Sequence, residues 1–498
     1  MRSAVCVVLT LLAAGVGRAG ETRTEEGVGL TIYSAEGTKS RWGGWATEPI
    51  GYATVKEWRR MPLERGRSVI RFDDVASGIR PETVHFTSLT DPTGTFVLEQ
   101  NYEYDLVSAQ KLLAKYVDRE ITVVDEDAEG KLTEARATLL SPNSGGYVLK
   151  REDEKEPIEI RTSLPRVRLG SVPGGLITRP TLVWRLRSDR AGEHLCKVVY
   201  ETGRIKWKAD YTVVAKGEDD SAVDVSGWVT IDNNSGKTYT DAEVKLVAGD
   251  VRARSSAHST TGRTGGGIGR IRAREGGFKE KSFFEHKLYT LGRTSTLKNN
   301  SKKQIELFRP VVDVPAEKTL VYFGAPAYSS YSTRALTDRD LNLKSNKAVD
   351  VYITFPNAAK AGLGIPLPAG TARVYKADPA DGSLEFIGED KIGHMPRDED
   401  VMLRLGTAFD LTGERKQTSF HVDSGAHRLT ESFEIKVRNH KTEPVMVQVR
   451  EVLYRWVNSE ITEKSHDFVR RDWRTIHFPV TVPADREVTV SYTVLYTW

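Results

Sequence analysis

The sequence predicts a mainly β protein built from several domains. Apolar and polar residues alternate with a two-residue period in many short stretches, including residues 68–72, 228–232 and 433–437. This period places successive side chains on opposite faces of a strand. Turn-forming residues separate the stretches, and 42 glycines and 20 prolines against five methionines disfavour a long helical bundle. Such a pattern is typical of β-sandwiches and small barrels.

The first 19 residues predict an export signal. Arg2 supplies a positive charge, residues 4–16 are almost entirely apolar, and the small residues Gly17 and Ala19 precede the expected cleavage site. The apolar run is shorter than the roughly 18 residues that a membrane-spanning helix needs. We therefore expect export to the periplasm or the cell surface.

Three further regions are predicted along the chain. Residues 20–179 form an N-terminal β-rich region that includes a serine-capped helix at 108–117 and a small SH3-like barrel near 117–162. Residues 180–325 and 326–498 each contain a strand, an asparagine-containing turn and a second alternating strand. Each is therefore predicted to be an immunoglobulin-like β-sandwich.

A basic, glycine-rich segment at 252–281 is the candidate contact surface. It carries a net charge of +6, whereas the whole chain has +4, so the remainder is slightly acidic and nucleic acid is not an expected partner. The expected partner is an envelope protein or an anionic glycan. Contact with a membrane that the chain does not span stays open, and the alternative is a solvated insertion without a partner. The candidate contact residues are Arg252, Arg254, Arg263, Arg270, Arg272 and Arg274.

The two cysteines predict no disulfide and no reactive thiol. Cys6 lies in the signal, so its removal leaves Cys196 alone. Because Cys196 occurs in an alternating stretch at 194–200, we expect a buried, apolar cysteine rather than a nucleophile.

No motif predicts a catalytic, cofactor or metal site. The run Gly236, Lys237 and Thr238 resembles the end of a phosphate-binding loop, but Ile231 occupies the place of its first glycine, and the segment is interpreted as a hairpin turn. His421 and Asp423 are interpreted as a solvated surface pair. No nucleophile elbow or metal-ligand spacing occurs in the sequence, so we predict no enzyme and no cofactor.

Two groups of aromatic residues admit a functional interpretation. Trp42, Trp45, Tyr52 and Trp58 are suited to stacking on sugars, although ordinary core packing is favoured. The alternating aromatic end of the chain, 492–498, is typical either of the last strand of a soluble sandwich or of an outer-membrane β-barrel.

Several motifs resemble an exported bacterial family, domain of unknown function 4139, which is related to mucoidy-inhibitor-like proteins. The resemblance covers roughly residues 180–498. The motifs that carry it are 207–211, 226–233, 246–251, 303–307, 364–370, 374–375, 387–390, 413–415, 438–441 and 461–462.

The resemblance implies an exported β-rich protein without a known reaction, and it offers no catalytic residue to transfer. Trp207 and Trp228 are expected in a sandwich core, and Asn233 and Asn439 at turns. Gly227, Gly249 and Gly370 are expected at turns or bulges. We therefore predict a binding or scaffolding protein of the cell envelope. The alternatives are a hydrolase acting on envelope glycan and an outer-membrane β-barrel.

Overall fold

The computed structural model describes residues 24–33, 51–104, 108–126, 130–143, 146–151, 158–164, 166–170, 177–249, 278–283, 286–325, 334–343 and 345–498. Within these ranges the secondary structure is mainly strands, with one α-helix and one short 3₁₀ helix at Ala359–Ala361, which confirms the predicted mainly β fold class. The elements up to residue 203 are β1 (Gly27–Tyr33), β2 (Tyr52–Leu63), β3 (Gly66–Phe72), β4 (Ile79–Ser88), β5 (Thr95–Glu103), α1 (Ala109–Lys115), β6 (Arg119–Glu126), β7 (Leu132–Asn143), β8 (Gly146–Arg151), β9 (Ile158–Arg161), β10 (Val167–Arg168), β11 (Thr181–Ser188) and β12 (Gly192–Gly203). The later strands are β13 (Ile205–Lys216), β14 (Ala222–Asn233), β15 (Tyr239–Ala248), β16 (Phe278–Phe283), β17 (His286–Leu297), β18 (Ser301–Pro315), β19 (Glu317–Tyr322), β20 (Ala348–Pro356), β21 (Gly370–Ala377), β22 (Leu384–Ile392), β23 (Asp400–Asp423), β24 (Arg428–Asn439), β25 (Val445–Val452), β26 (Ser459–Lys464), β27 (Val469–Arg470), β28 (Thr475–Val482) and β29 (Arg486–Thr497).

The chain divides into two compact units, and neither is a continuous stretch of sequence. Unit 1 comprises Met1–Leu30, Thr54–Thr202 and Ser235–Ala242. Unit 2 comprises Thr31–Ala53, Gly203–Asn234 and Glu243–Trp498. The domain boundaries predicted at residues 180 and 326 stay predictions.

A three-stranded antiparallel sheet in unit 1 has the order β3-β11-β5. Its inward face centres on Trp184, which is fully buried between the rings of Phe72 and Phe86. The indole Nε1 donates a hydrogen bond to Gln100 Oε1 at 2.8 Å. This hydrogen bond offsets the cost of burying the indole N–H group. The alternation of side chains along β11 places Trp184 on the face that meets the core.

The predicted helix and small β unit are both present in unit 1. Ser108 caps α1 by accepting a hydrogen bond from the backbone N–H of Lys111. Five short antiparallel strands follow in the order β10-β6-β7-β8-β9, with the last strand in the chain returning beside the first. Tyr116, at the end of α1, packs with Ile121 and Leu139 in the small core beneath this sheet.

A five-stranded sheet in unit 2 joins strands that are far apart in sequence. Its order is β18-β14-β13-β21-β22, and β13 and β21 are parallel, with Ala215 beside Lys376. Two parallel neighbouring strands must be joined by a long connection. Here the connection from β13 to β21 includes strands β14 to β20. This crossover brings charged residues of both segments to one end of the sheet.

A nine-stranded sheet in unit 2 contributes residues to a hydrophobic core. Its order is β26-β29-β24-β23-β20-β19-β25-β28-β27. Phe433, Phe478, Tyr492 and Tyr496 are buried in this core. The alternating aromatic residues of the last strand therefore face the interior of unit 2, where each large side chain removes apolar surface from water and contributes roughly 1.5 to 3 kcal/mol.

The structure decides several predictions about single residues. Trp58 and Cys196 are buried, which confirms core packing for both. Trp207 is buried as expected, but the expectation for Trp228 is wrong, because its side chain is 41% exposed. Trp228 lies on the face of β14 opposite to Val229, whose side chain points into the core, so the two-residue period turns the indole outward. Trp42 and Trp45 lie outside the described residues.

Candidate functional site

The six arginines predicted as a contact surface all lie outside the described residues, so their role stays a prediction. They are Arg252, Arg254, Arg263, Arg270, Arg272 and Arg274. The described part of the chain offers a different candidate site.

An open cleft of about 300 Å³ lies in unit 2 between the five-stranded sheet and the nine-stranded sheet. Neighbouring strands of the nine-stranded sheet supply its apolar floor, with Leu320 of β19 paired to Val351 of β20. Ile353 extends this floor and is buried. Ala215 of β13 and Ile387 of β22 supply the facing wall from the five-stranded sheet. The cleft therefore has an apolar interior of the kind that holds the apolar part of a ligand.

Two lysines at the cleft share one buried carboxylate. Lys318 Nζ lies 2.5 Å from Asp220 Oδ2, and Lys376 Nζ donates a hydrogen bond to Asp220 Oδ1. Asp220 is only 6% exposed and has a positive φ of 59° in the turn between β13 and β14. Aspartate and asparagine tolerate this backbone conformation better than most residues. The cluster of one carboxylate and two ammonium groups carries a net positive charge at the edge of an apolar floor.

A third lysine, Lys441, lies at the cleft on the turn between β24 and β25. Asn439 fixes this turn: its Oδ1 accepts a hydrogen bond from Lys441 N at 2.9 Å, and its Nδ2 donates to Glu443 O at 2.8 Å. The amide is buried, which confirms the expected turn-capping role. Asp410 also lines the cleft, and its carbonyl oxygen accepts a hydrogen bond from the neighbouring His440 N–H.

A distortion of β23 places Phe409 at the cleft with its side chain 97% exposed. Between the pairs Asp350–Thr407 and Ala348–Thr412, β20 advances by two residues and β23 by five. Extra residues of this kind redirect side chains and locally disrupt the ladder. A large aromatic side chain left in solvent beside a charged cleft is a common feature of sites that bind another molecule.

Other buried charges lie in the core of the nine-stranded sheet rather than at a cleft. Arg415 Nε lies 3.0 Å from Glu451 Oε2, and Arg455 Nε lies 2.7 Å from Glu431 Oε2. Burial raises the pKa of Glu431, although the positive charge of Arg455 opposes this. The hydroxyl of Tyr492 donates to Glu451 at 2.6 Å. Because all four charged side chains are almost fully buried, they act as an internal network of the fold.

The lysine of the phosphate-loop-like run has a structural partner in unit 1. Lys237 Nζ lies 3.1 Å from Glu57 Oε1, and Arg59 also pairs with Glu57. Burial alone would raise the pKa of Glu57, but the positive charges of Lys237 and Arg59 outweigh it and lower that pKa. The interpretation of residues 236–238 as a hairpin turn is wrong, because β14 and β15 belong to different sheets.

The remaining residues considered for chemistry do not form a reaction centre. His421 and Asp423 are both exposed, as expected of a surface pair. Burial raises the pKa of Cys196 to about 12, which disfavours the reactive thiolate. Among the described residues, no group of three or more His, Cys, Asp or Glu side chains could hold a metal ion. In the same residues, no helix combines the length and apolar character needed to cross a membrane.

Sequence reasoning missed the cleft, although one signal was present. Asp220, Lys318, Lys376 and Lys441 are distant in sequence. The parallel pairing of β13 with β21 brings Lys376 to Asp220, whereas Lys318 reaches the same carboxylate from β19 of the nine-stranded sheet. Gly406 lies three residues before Phe409, and its positive φ of +147° is irregular for a strand residue. A glycine inside a long alternating stretch therefore indicated a distortion near an apolar side chain.

Comparison with known proteins gives no assignment for this site. No family model matches the chain, and no curated protein is similar to it. The resemblance to the domain 4139 family stays a prediction.

Proposed function

We propose that the protein is an exported binding or scaffolding protein of the cell envelope, and that the unit 2 cleft binds a partner through an anionic group joined to an apolar part. The observation that carries this proposal is the pair of lysines on Asp220 beside the apolar floor formed by Leu320 and Ile353. A lysine ammonium attracts an anion, and an apolar floor strengthens that attraction by excluding water.

The same geometry favours binding over hydrolysis. A glycan hydrolase, the alternative function, needs two carboxylates that act as proton donor and nucleophile or base. Asp220 is engaged by two lysines, which occupy both of its oxygens. Among the residues that line the cleft, Asp410 is the other carboxylate, so the cleft does not offer two free carboxylates for hydrolysis. The proposal of an exported protein without a reaction also agrees with what the family resemblance implies.

The ligand class is tested with two dyes that differ in one group. The probe is 8-anilinonaphthalene-1-sulfonate, which is anionic, and the reference is N-phenyl-1-naphthylamine, which has the same rings without the sulfonate. We expect the purified chain to bind the sulfonate dye about fivefold more tightly than the uncharged dye, because one exposed charge pair contributes up to about 1 kcal/mol. Fluorescence titration at low salt measures both affinities.

Matched variants locate the binding. Lys441→Met removes a cleft lysine that has no structural role in holding Asp220, and Lys416→Met removes an exposed lysine elsewhere on β23. We expect the first variant to lose part of the preference for the sulfonate, because Lys318 and Lys376 remain, and the second to keep it in full. Phe409→Ser should weaken both dyes. Equal binding of the two dyes by the unaltered chain, or equal effects of the two lysine variants, contradicts the proposal.

A further inference from the structure

The face of the five-stranded sheet that is turned away from the cleft presents an exposed indole. Ala215, which lines the cleft, and Asp210 lie on opposite faces of β13 because side chains alternate along a strand. Trp228 of β14 pairs with Asp210 and shares its face. The Trp228 side chain is 41% exposed, and within the described ranges it makes no hydrogen bond and no ring contact. A large apolar side chain is therefore left in solvent on an interior strand of the sheet.

The sheet is irregular at this position. The pairing of β14 with β18 shifts its register between Gly227 and Trp228, and twice more between Val223 and Gly227. The shift places Phe308 against Gly227, where an added Cβ would lie 2.3 Å from the ring, and leaves Glu306 beside Trp228. Bulges redirect side chains and are over-represented next to functional sites.

Polar side chains surround Trp228 on four sides of this face. Ser226 and Thr230 are its neighbours along β14, and Asp210 and Glu306 lie directly across from it on β13 and β18. Directly opposed residues have Cβ atoms about 4.5 to 5.5 Å apart, so all four border the indole. A protein or lipid surface that docks by apolar burial would meet one apolar side chain here rather than a patch.

The side chains on one flank of Trp228 are held in place by hydrogen bonds. Asp210 Oδ2 accepts from Thr230 Oγ1 at 2.8 Å, and Asp210 Oδ1 accepts from Lys208 Nζ at 3.0 Å. Arg373 Nη1 donates to the same Oδ1 at 3.4 Å. Gln304 Nε2 in turn donates to Thr230 Oγ1 at 3.4 Å. This flank therefore has one arrangement before any ligand binds.

The other groups beside the indole retain hydrogen-bonding capacity. In the part of the chain that the structure describes, the Glu306 carboxylate, the Ser226 hydroxyl and the Gln304 Oε1 atom have no hydrogen-bond partner. A carboxylate and an amide oxygen accept hydrogen bonds and do not donate them. The free groups are thus suited to a ligand that carries hydroxyl donors.

The charges that border Trp228 balance. Lys208 and Arg373 are positive, and both lie within ion-pair distance of Asp210. Burial alone would raise the pKa of Asp210, but the hydrogen bonds that it accepts outweigh this effect and lower that pKa. With Glu306 on the other flank, two positive groups meet two negative groups. An uncharged ligand is therefore favoured over an anion or a cation.

We propose that Trp228 and its polar neighbours bind a neutral sugar chain whose pyranose rings carry equatorial hydroxyl groups. Such a ring has an apolar face of C–H bonds and a rim of hydroxyls. The face packs on the indole, and the rim donates hydrogen bonds to Glu306 and Gln304. This surface lies on the other side of the sheet from the lysine cleft, so either proposal can fail alone.

The test uses two neutral and two charged tetrasaccharides. Cellotetraose and tetra-N-acetylchitotetraose are neutral. The tetramer of glucosamine, which is the second probe without its acetyl groups, is cationic, and the tetramer of galacturonate is anionic. Titration calorimetry with the full chain should detect a neutral probe and find it at least tenfold tighter than both charged probes. Its affinity should not change when the salt concentration rises about tenfold, because no charge is paired.

Matched variants locate the site. Trp228→Ala should weaken the neutral probe at least tenfold, whereas Trp473→Ala, which removes a tryptophan that is 51% exposed elsewhere in unit 2, should leave it unchanged. Glu306→Gln keeps an acceptor and should cost less than about threefold, whereas Glu306→Ala should cost about fivefold or more. Circular dichroism confirms that each variant keeps its strand content.

Three results would overturn the proposal. The first is the absence of binding of both neutral probes, and the second is unchanged affinity in Trp228→Ala. The third is preferred binding of the glucosamine tetramer that is lost in Glu306→Gln, because the occupant is then a cation held by the carboxylate and the indole.

Discussion

Lys318 Nζ lies 2.5 Å from Asp220 Oδ2, although 98 residues separate the two in the sequence. The carboxylate also binds Lys376. Because Lys318 lies on the nine-stranded sheet and Lys376 on the five-stranded sheet, this one buried carboxylate links the two sheets at the cleft. The same ion pairs that stabilise the fold hold two positive charges at the place where we propose that an anion binds.

Asp220→Asn should lower stability and raise anion affinity together. The amide keeps the side-chain shape and tolerates the positive φ, but it removes the charge that pairs with both lysines. We expect the free energy of unfolding to fall by about 1 to 3 kcal/mol. The affinity for the sulfonate dye should rise, because the lysines lose their neutralising partner. Chemical unfolding and dye titration measure the two effects.

A matched control for that variant is Asp313→Asn. Asp313 has a similar positive φ and pairs with Lys216 at 2.6 Å, but its side chain is 70% exposed. A solvent-exposed pair contributes little to stability, so this variant should change stability little and the dye affinity not at all. If Asp313→Asn changed stability and dye affinity as much as Asp220→Asn or more, the role given to Asp220 would be contradicted.

Glu57→Gln should destabilise unit 1 in a pH-dependent way. Removing the carboxylate takes away the closer charged partner of the buried Lys237 and leaves Asp74 at 3.5 Å, which costs about 3 kcal/mol near pH 7. The pKa of Glu57 is lowered from its ordinary value of 4.5, so its stabilising effect is complete above that value and is lost as the pH falls below it. Unfolding measured from pH 7 down to pH 3 should therefore show the difference between the two proteins shrinking. A difference that stays constant would exclude the ionised form of Glu57 as its source.

Gly227→Ala should destabilise the five-stranded sheet by about 1 to 3 kcal/mol. Strand β14 shifts its register at Gly227, where the sequence predicts a turn or a bulge, and an added Cβ would lie 2.3 Å from the ring of Phe308. Phe308→Leu in the same chain should recover part of the loss, because the smaller side chain leaves space for the methyl group. A double-mutant cycle of unfolding free energies measures this coupling. Strictly additive effects would show that the ring contact is not the cause.

Cys196 should resist thiol reagents until the chain unfolds. The thiol is buried, and burial raises its pKa to about 12, so the reactive thiolate is scarce at neutral pH. Labelling a Cys6→Ala variant with 5,5′-dithiobis(2-nitrobenzoate) should be slow in buffer and complete in 6 M guanidinium chloride. Rapid labelling of the folded chain would contradict the burial of β12 around this residue.

Local features of the fold were predictable because they depend on neighbours in sequence. Ser108 and the apolar spacing after it indicated the helix, and alternation indicated the strands that carry Val437 and Tyr492. The exposed position of Trp228 also follows from alternation once Val229 is assigned to the core. The error there came from treating a tryptophan as a core residue by type alone.

The cleft was not predictable because it depends on contacts between distant segments. No local pattern indicates that β13 lies parallel to β21, and that pairing decides where Lys376 meets Asp220. The exposure of Phe409 was not predictable for the same reason. Residues 401–411 alternate as in a regular strand, but the fold buries Val401, Leu403 and Leu411 and leaves Phe409 exposed. The location of the site is thus a property of the topology.

A crystal structure of the chain with bound 8-anilinonaphthalene-1-sulfonate would locate the anion site. We expect the sulfonate within hydrogen-bond distance of Lys318, Lys376 or Lys441, and the rings on the floor formed by Leu320 and Ile353. Dye bound at another surface while this cleft stays vacant would contradict the assignment of the cleft as the binding site.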